Sequence, residues 1–359
     1  MRFSPARNRC WLTASCITSP RLCAGPSSNP VRAAELGEFG RIRRFFAPLA
    51  GLGGLGLTDD AALIECAPGR SLVATVDAMV AGVHFLPDDP PDLVARKLLR
   101  VNLSDLAAMA ARPRYYLLTT ALPESHGDDW VERFAAGLAE DQRRFGVELL
   151  GGDSVATPGP ATFSLTALGE VATGAEIRRG GATPGDLIWV SGTIGDAYLG
   201  LAVLRGGHSE LAPEHRAALA ARYQLPDPRT ELGPRLAGIA HAMCDVSDGL
   251  LADLGHICQV SDVAAVVSLG ALPFSEAAQL VATGDPMLPP RLATGGDDYE
   301  LVFTAPPEHA GVIRKLAADV DLPITEIGVI EPGAGVRLID AEGREVAVAS
   351  AGYRHFDPG

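Results

Sequence analysis

The chain has 359 residues, of which 47% are hydrophobic and 21% are charged, and its formal net charge is -14 at pH 7. This length is sufficient for two domains with sizeable cores, and the composition is typical of a globular protein. No apolar run approaches the roughly 18 residues that a membrane-spanning helix needs. No arginine- or lysine-rich stripe indicates a nucleic-acid partner. The acidic excess instead suits solubility or cation binding.

Residues 1–36 do not look like part of the fold. They are rich in Arg, Ser, Pro and Cys, and contain no acidic residue before Glu35. Their short apolar stretch is broken by Thr and Ser, which is a poor match to a secretory signal. We interpret this segment as a disordered or non-native tail, for example one translated from an upstream start codon; a transit-like segment is the alternative.

The cysteines predict a reducing compartment. Three of the six lie in the tail, and Cys66, Cys244 and Cys258 show neither metal-ligand spacing nor a pairing framework. Disulfide-stabilised and zinc-binding proteins have recognisable cysteine spacing. We therefore expect a cytoplasmic protein without disulfides.

Alternating helical and strand patterns predict a first mixed unit over residues 37–172. A short amphipathic helix begins near Gly37, and a long helix surrounds residues 98–109. A second long helix is predicted over 130–145. The predicted strands are 61–65, 71–77, 115–121, 148–150 and 162–170.

The segment Gly51–Gly56 matches the dinucleotide fingerprint G-x-G-x-x-G literally. That fingerprint requires a strand before the glycines and a helix after them. Here a helix precedes the glycines and Thr58-Asp59-Asp60 follows, so we reject a dinucleotide site.

The long helix carries two polar side chains on one face. Asn102 and Asp105 are three residues apart, and Leu98, Val101 and Leu106 surround them with apolar positions. A buried carboxylate must be paired, hydrogen-bonded or bound to a cation. A solvated stripe or a structural hydrogen bond is the alternative interpretation.

A glycine-rich break at residues 178–186 marks the boundary to a second mixed unit, 173–359. Helices are predicted over 195–205 and 307–320, with a third after Gly249 that runs to Val260. The predicted strands are 187–191, 301–304, 324–330 and 336–339.

Acidic residues recur where predicted loops meet helices and strands. Each one alone fits a turn or a helix cap, as Ser247 or Asp248 would before the helix that follows Gly249. Several carboxylates beside glycines are instead what a hard cation such as Mg²⁺ requires. No His/Cys cluster for a softer metal, phosphate-binding P-loop or protein-kinase signature is present. The acidic residues are Asp59, Asp60, Asp77, Asp105, Asp153, Asp245, Asp248, Asp297 and Asp298.

Nine segments between residues 37 and 356 resemble, in this order, those of the thiamine-monophosphate kinase family. This family belongs to a wider superfamily that includes aminoimidazole ribonucleotide synthetase. The His84-Phe85 pair and the ending Gly352-Tyr353-Arg354-His355-Phe356 favour the kinase specifically. The segments are Gly37–Phe39, Thr58–Ala62, Asp77 with Gly82–Phe85, Asn102–Met109, Gly151–Ser154, Arg179–Asp186, Asp245–Leu250, Gly295–Leu301 and Gly352–Phe356.

The resemblance implies an α/β (α+β) fold with two mixed domains of the synthetase-like type. Residues 37–172 would bind Mg²⁺ and ATP and dimerise through their strands, and residues 173–359 would complete an active-site cleft. The implied reaction is ATP-dependent phosphorylation of thiamine monophosphate to thiamine diphosphate, assisted by several Mg²⁺ ions. The implied assembly is a homodimer, with no nucleic-acid or membrane partner.

The resemblance also implies roles for individual residues. The expected catalytic group is Asp77, Asp105, Asp153 and Asp248. The expected ATP contacts are Gly152, Arg179 and Ser247, and the expected substrate contacts are His84, Asp297 and Tyr353. The expected metal ligands are Asp60, Thr75, Asp77, Asp105, Asp153, Asp245 and Asp248.

One departure from the family pattern concerns a metal contact. The family usually has a hydroxyl residue where this chain has Val76.

The implied chemistry needs no general base, because a phosphate monoester has a second pKa of about 6 and is already ionised at pH 7. Two alternatives stay open: a superfamily synthetase that acts on another substrate, and a non-catalytic relative that binds nucleotide.

Overall fold

The computed structural model describes residues 38–57, 61–62, 64–348 and 352, and these form one compact unit. The predicted tail and the predicted site residues Asp60 and Tyr353 lie outside the described residues. None of the helices in the described ranges combines the length and apolar character needed to cross a membrane.

The first half of the fold is a four-stranded sheet with two long helices on one face. A short helical entry precedes it: α1 (Glu38–Arg41), a π-helical turn (Ile42–Phe46) and 3₁₀ turns (Ala47–Leu49, Leu52–Leu57). The sheet and its helices are β1 (Arg70–Val80), α2 (Pro91–Ala108), β2 (Arg112–Leu122), α3 (Asp128–Phe145), β3 (Glu148–Ala156) and β4 (Thr162–Ala172).

The strands of this sheet lie in the order β1-β4-β2-β3, with β2 and β3 parallel and the other pairs antiparallel. Because side chains alternate across a strand, one face of the sheet packs on α2 and α3. The opposite face, here called the outer face, is solvent-exposed in the single chain. It carries Leu72, Val76, Leu117 and Val155, which are 40%, 59%, 37% and 46% exposed.

The second half of the fold is a six-stranded mixed sheet in the order β10-β7-β9-β5-β8-β6. Its strands are β5 (Leu187–Ser191), β6 (Ala242–Asp245), β7 (Ala264–Ser268), β8 (Leu301–Ala305), β9 (Ile324–Glu331) and β10 (Gly335–Ile339). Its helices are α4 (Asp196–Leu204), α5 (Pro213–Gln224), α6 (Leu250–Ser261), α7 (Glu276–Ala282), α8 (Leu288–Leu292) and α9 (Ala310–Asp319), with 3₁₀ turns at Gly233–Leu236, Leu269–Ala271 and Pro307–His309.

The predicted fold class is confirmed, and most predicted elements lie within a few residues of the observed ones. The strand predicted over 61–65 is wrong at residues 61, 62, 64 and 65, where no strand is present. Strand β3 extends past the predicted end at Leu150, because its backbone continues to pair with β2 as far as Ala156. Strand β7 was not predicted, because Asp262 in the left-handed conformation ends α6 where no glycine or proline marks the boundary.

A buried ion pair fixes the position of α2. Arg100 donates from Nε and Nη2 to the two carboxylate oxygens of Asp141 on α3, at 2.5 and 2.9 Å. Its Nη1 donates to the carbonyl oxygen of Pro226, at 2.9 Å. Both side chains are at most 1% exposed. This bidentate arrangement therefore attaches α2 both to α3 and to the segment that follows α5.

We expect Asp141→Ala to lower the free energy of unfolding by about 3–5 kcal/mol, because the buried Arg100 charge loses its partner. Urea denaturation measures the change. The matched control is Arg133→Ala, which breaks the exposed α3–α2 ion pair to Asp92 and should cost at most about 1 kcal/mol. Equal losses in the two variants would contradict the structural role of the buried pair.

Candidate active site

Two polar side chains of helix α2 form hydrogen bonds with strand β1. The Asn102 Oδ1 accepts the backbone N–H of Asp77 at 3.0 Å, and its Nδ2 donates to the carbonyl oxygen of Leu98 at 2.9 Å. The Asp105 Oδ2 accepts the Thr75 hydroxyl at 2.6 Å. The predicted common face of Asn102 and Asp105 is confirmed, and it is the face turned towards β1.

Three carboxylates form an acidic cluster: Asp77 on β1, Asp105 on α2 and Asp245 at the end of β6. Burial, and then the charge of Asp105, raise the pKa of Asp77 to about 6. Burial also raises the pKa of Asp105, although the Thr75 hydroxyl and then the charge of Arg179 oppose this. Burial and the charge of Asp105 raise the pKa of Asp245 well above its usual value. The cluster therefore concentrates negative charge that neighbouring cations do not fully compensate.

A fourth carboxylate holds the loop that carries Ser247 and Asp248. The Asp253 Oδ2 accepts the backbone N–H groups of Ser247, Asp248 and Gly249, at 3.0, 3.1 and 3.1 Å. Burial and then the charge of Asp248 raise the pKa of Asp253 to about 7. Sequence reasoning missed Asp253, although an acidic residue in the first turn of a helix is a signal for this role.

Asp253 also belongs to a second group of potential metal ligands, separate from the acidic cluster. Asp248, Asp253 and the exposed His256 place one such atom each within 4.8 Å of one another.

The predicted substrate contacts His84 and Asp297 both interact with the ammonium group of Lys97. Lys97 Nζ donates to the backbone carbonyl of His84 at 3.0 Å and lies 3.5 Å from the Asp297 Oδ2. The His84 Nδ1 accepts the backbone N–H of Val80 at 3.1 Å. In the neutral ring this leaves the proton on Nε2.

Asp153 does not join the acidic cluster within one chain. It lies on β3, which forms the opposite edge of the sheet from β1, and pairs in register with Thr119. Its side chain shares the outer face, whereas Thr75 and Asp77 point to the inner face. At about 4.8 Å per strand, the two edges are about 14 Å apart.

Gly152, predicted to contact ATP, has a structural constraint of its own. A Cβ at this position would lie 1.7 Å from the carbonyl oxygen of Leu118 on β2, so no other residue fits here. With Asp153 and Leu57, it lines a cavity of about 250 Å³ between the helical entry and the β2–β3 edge.

Comparison with known proteins supports the same assignment of family. The sequence models for "AIR synthase related protein" match residues 58–171 (N-terminal domain) and 183–341 (C-terminal domain). A thiamine-monophosphate kinase of Caulobacter vibrioides is 44% identical over 328 residues, which are 90% of this chain and 92% of that protein. The chain belongs to the thiamine-monophosphate kinase family.

Two solved structures resemble the fold. The crystal structure of thiamine-monophosphate kinase from Stenotrophomonas maltophilia K279a has a TM-score of 0.74 and 41% identity, covering 81% of this chain and 91% of that one. A structure described as AaThiL complexed with AMPPCP and TMP has a TM-score of 0.72 and 32% identity, covering 92% and 100%. The predicted family is thereby confirmed; the roles of individual residues and the domain boundary at residue 172 stay predictions.

The described residues of this family member suit a hard divalent cation. The acidic cluster and Thr75 offer only oxygen ligands, which Mg²⁺ prefers. The charge of Arg179, an exposed residue, lowers the pKa of Asp105, so a positive charge also lies near the cluster. A cation bound here would compensate the charge that raises the carboxylate pKa values.

We expect Mg²⁺ to stabilise the protein more as the pH rises from about 5 to about 8, because the proton and the cation compete for Asp77. Without the cation, the raised pKa of Asp77 means that the folded state binds more protons than the unfolded state at pH values between the usual pKa of 3.8 and about 6. The contribution of this group to stability is therefore lost as the pH rises through that window.

Thermal unfolding with and without Mg²⁺ across this range measures the effect. Asp105→Asn should flatten the pH dependence, whereas Asp319→Asn, at the exposed end of α9, should leave it unchanged. A Mg²⁺ effect that is independent of pH in the unsubstituted protein would contradict a cation site at the cluster.

Proposed function

We propose that this protein transfers the γ-phosphoryl group of ATP to thiamine monophosphate, producing thiamine diphosphate. The observation that carries the proposal is the position of the acidic cluster, where α2 and β1 of the first half meet β6 of the second half. The relative described as a complex with AMPPCP and TMP supports both co-substrates. Because ATP is available in the cytoplasm, we also propose a cytoplasmic location.

The attacking group in this proposal is the phosphate of the substrate itself. Its second pKa of about 6 leaves it ionised at neutral pH, so the site requires no general base. The remaining task is to bring two anions together for in-line transfer. Several Mg²⁺ ions held by the acidic cluster and Asp248, with Thr75, would neutralise the two phosphate groups.

Residues around the cluster would bind and orient the two substrates. Arg179 and the loop at Ser247 would contact ATP, since a guanidinium donates well to phosphate oxygens. The His84 Nε2–H would donate to the phosphate of thiamine monophosphate. The Asp297 carboxylate, with 34% of its side chain exposed, would face the cationic thiazolium ring of the same substrate.

The alternatives make different use of the same residues. A superfamily synthetase would consume ATP only with another acceptor, and a non-catalytic relative would bind ATP without turnover. The feature that would favour a non-catalytic relative is Val76, which stands where the family usually has a hydroxyl residue. Its side chain lies on the outer face, away from Thr75 and Asp77, so within one chain its lack of a hydroxyl group does not change the acidic cluster.

We expect ADP release to require thiamine monophosphate and to fall about 10²- to 10³-fold in Asp105→Asn, because one electrostatic stabiliser is lost. A coupled assay with purified protein, Mg²⁺ and ATP measures the release. Asp319→Asn serves as the control and should retain full activity. ADP release without thiamine monophosphate would contradict the kinase, and ATP binding without any turnover would favour one of the two alternatives, a synthetase with another acceptor or a non-catalytic relative.

We further propose that two copies associate through the strands of the first sheet. The outer face supports this, because four apolar side chains lie partly exposed on it, and such patches mark interaction surfaces. Asp153 also lies on the outer face, at the edge opposite to that of Val76. A second copy packed there would bring its own Asp153 towards the β1 edge of the first at Val76, on the strand that carries Thr75 and Asp77, which the single chain does not.

Mixing two inactive variants tests this arrangement. If each site combines Asp105 of one copy with Asp153 of the other, then a mixed dimer of Asp105→Asn and Asp153→Asn chains contains one intact site. We expect activity to reappear after the two variants are unfolded and refolded together, because random pairing makes about half of the dimers mixed. No recovery, with dimers present by light scattering, would contradict a site shared between two copies, and an Asp153→Asn chain that is active by itself would place Asp153 outside the site.

A further inference from the structure

We propose that Lys97 is a positioning residue that holds the substrate-contacting groups of both halves of the fold in one geometry, and so sets the affinity for thiamine monophosphate. This inference rests on the function proposed above. It adds a role for a residue that does not itself contact the substrate.

The ammonium group of Lys97 contacts groups from both halves of the fold. It donates to the backbone carbonyl of His84 in the first half, at 3.0 Å. In the second half it lies 3.5 Å from the Asp297 Oδ2 and 3.7 Å from the centroid of the Tyr223 ring. The Tyr223 hydroxyl in turn donates to the same His84 carbonyl, at 3.3 Å. One side chain therefore connects α2, the His84 loop, α5 and the Asp297 loop.

Asp297 is held on both carboxylate oxygens. The Tyr299 hydroxyl donates to Oδ1 at 3.4 Å, and Lys97 lies beside Oδ2. The backbone of Asp297 has a φ of +70° and donates its N–H to the Ser247 carbonyl at 2.8 Å. Lys97 thus fixes the direction of a side chain that stays partly open to a ligand.

The burial of Lys97 shows that these contacts are specific. The residue is 3% exposed, and burying an ammonium group is costly unless all its hydrogens find partners. Burial lowers its pKa, and the charges of Asp297 and then Asp89 oppose this change. The carbonyl, the carboxylate and the aromatic face together provide the compensation.

The composition of the chain supports a requirement for lysine here. Of the 30 basic residues only Lys97 and Lys315 are lysine, so arginine is used at nearly every other basic position. A compact ammonium can contact a carbonyl, a carboxylate and a ring face that lie in three directions, whereas a planar guanidinium presents its donors in one plane. Arginine would therefore not be a conservative replacement.

We expect Lys97→Met to raise the KM for thiamine monophosphate about 10- to 100-fold, because a charged hydrogen bond and an ion pair are lost together. The KM for ATP should stay within about twofold, since the contacts of Lys97 do not include Arg179 or the acidic cluster. Lys97→Gln keeps an uncharged donor for the His84 carbonyl, so it should raise the KM for thiamine monophosphate less than Lys97→Met does.

The matched control is Gln224→Leu. Gln224 follows Tyr223 on α5 and donates to the Asp89 Oδ1 at 2.5 Å, so it also connects α5 to the loop after His84. Its hydrogen bond goes to neither His84 nor Asp297. We expect this variant to leave both KM values unchanged.

Steady-state kinetics with each substrate varied, calorimetric binding of thiamine monophosphate and thermal unfolding distinguish the outcomes. A selective rise in KM and Kd for thiamine monophosphate in Lys97→Met, with ATP unaffected, supports the positioning role. If the KM values for both substrates rise together and the Tm falls, Lys97 contributes to stability and not to positioning. If the kinetics are unchanged, the inference about Lys97 is wrong while the proposed function stands. If the unsubstituted protein neither binds nor phosphorylates thiamine monophosphate, the proposed function fails and the inference falls with it.

Discussion

The hydrogen bonds between α2 and β1 are the constraint on which the site depends. Asn102 fixes the backbone at Asp77, and Asp105 accepts the hydroxyl of Thr75, so the two elements meet with their carboxylates facing each other. Such proximity is costly in a buried setting, because each carboxylate makes the next one harder to ionise. It persists because Arg100 and Asp141 hold α2 from its other side, where a bidentate pair resists small displacements.

The second half contributes residues to this arrangement through loops rather than through its sheet core. Asp245 ends β6, and the loop that follows leads through Ser247 and Asp248 into α6. The Asp297 loop is fastened to it, since Asp297 and Tyr299 donate their backbone N–H groups to the carbonyls of Ser247 and Val246. The carboxylates of the second half therefore occupy positions set by backbone hydrogen bonds, which a cation need not rearrange.

The sequence was sufficient to predict what depends on local periodicity. Thr75 and Asp77 are two residues apart on a strand, so they share a face, as Asn102 and Asp105 do on a helix. The location of Asp153 could not be predicted in this way, because strand order is a property of the whole sheet and no local pattern specifies it. Lys97 was missed because its helical position reads as an ordinary charged residue. Its partners come from three separate segments, and only the folded chain brings them together.

The fold also explains why the proposed phosphate chemistry would rely on carboxylates in a chain without a P-loop. Helix N-termini commonly bind phosphate through unpaired N–H groups. In this chain the Asp253 carboxylate accepts the three N–H groups that precede α6. Asp298 accepts those of Gly195 and Ala197 at the start of α4, at 2.6 and 3.2 Å. Two helix N-termini near the site are thus already occupied by buried carboxylates of the protein itself. In the proposed reaction, phosphate groups brought to this site would find positive charge elsewhere, in cations bound at the acidic cluster and in Arg179.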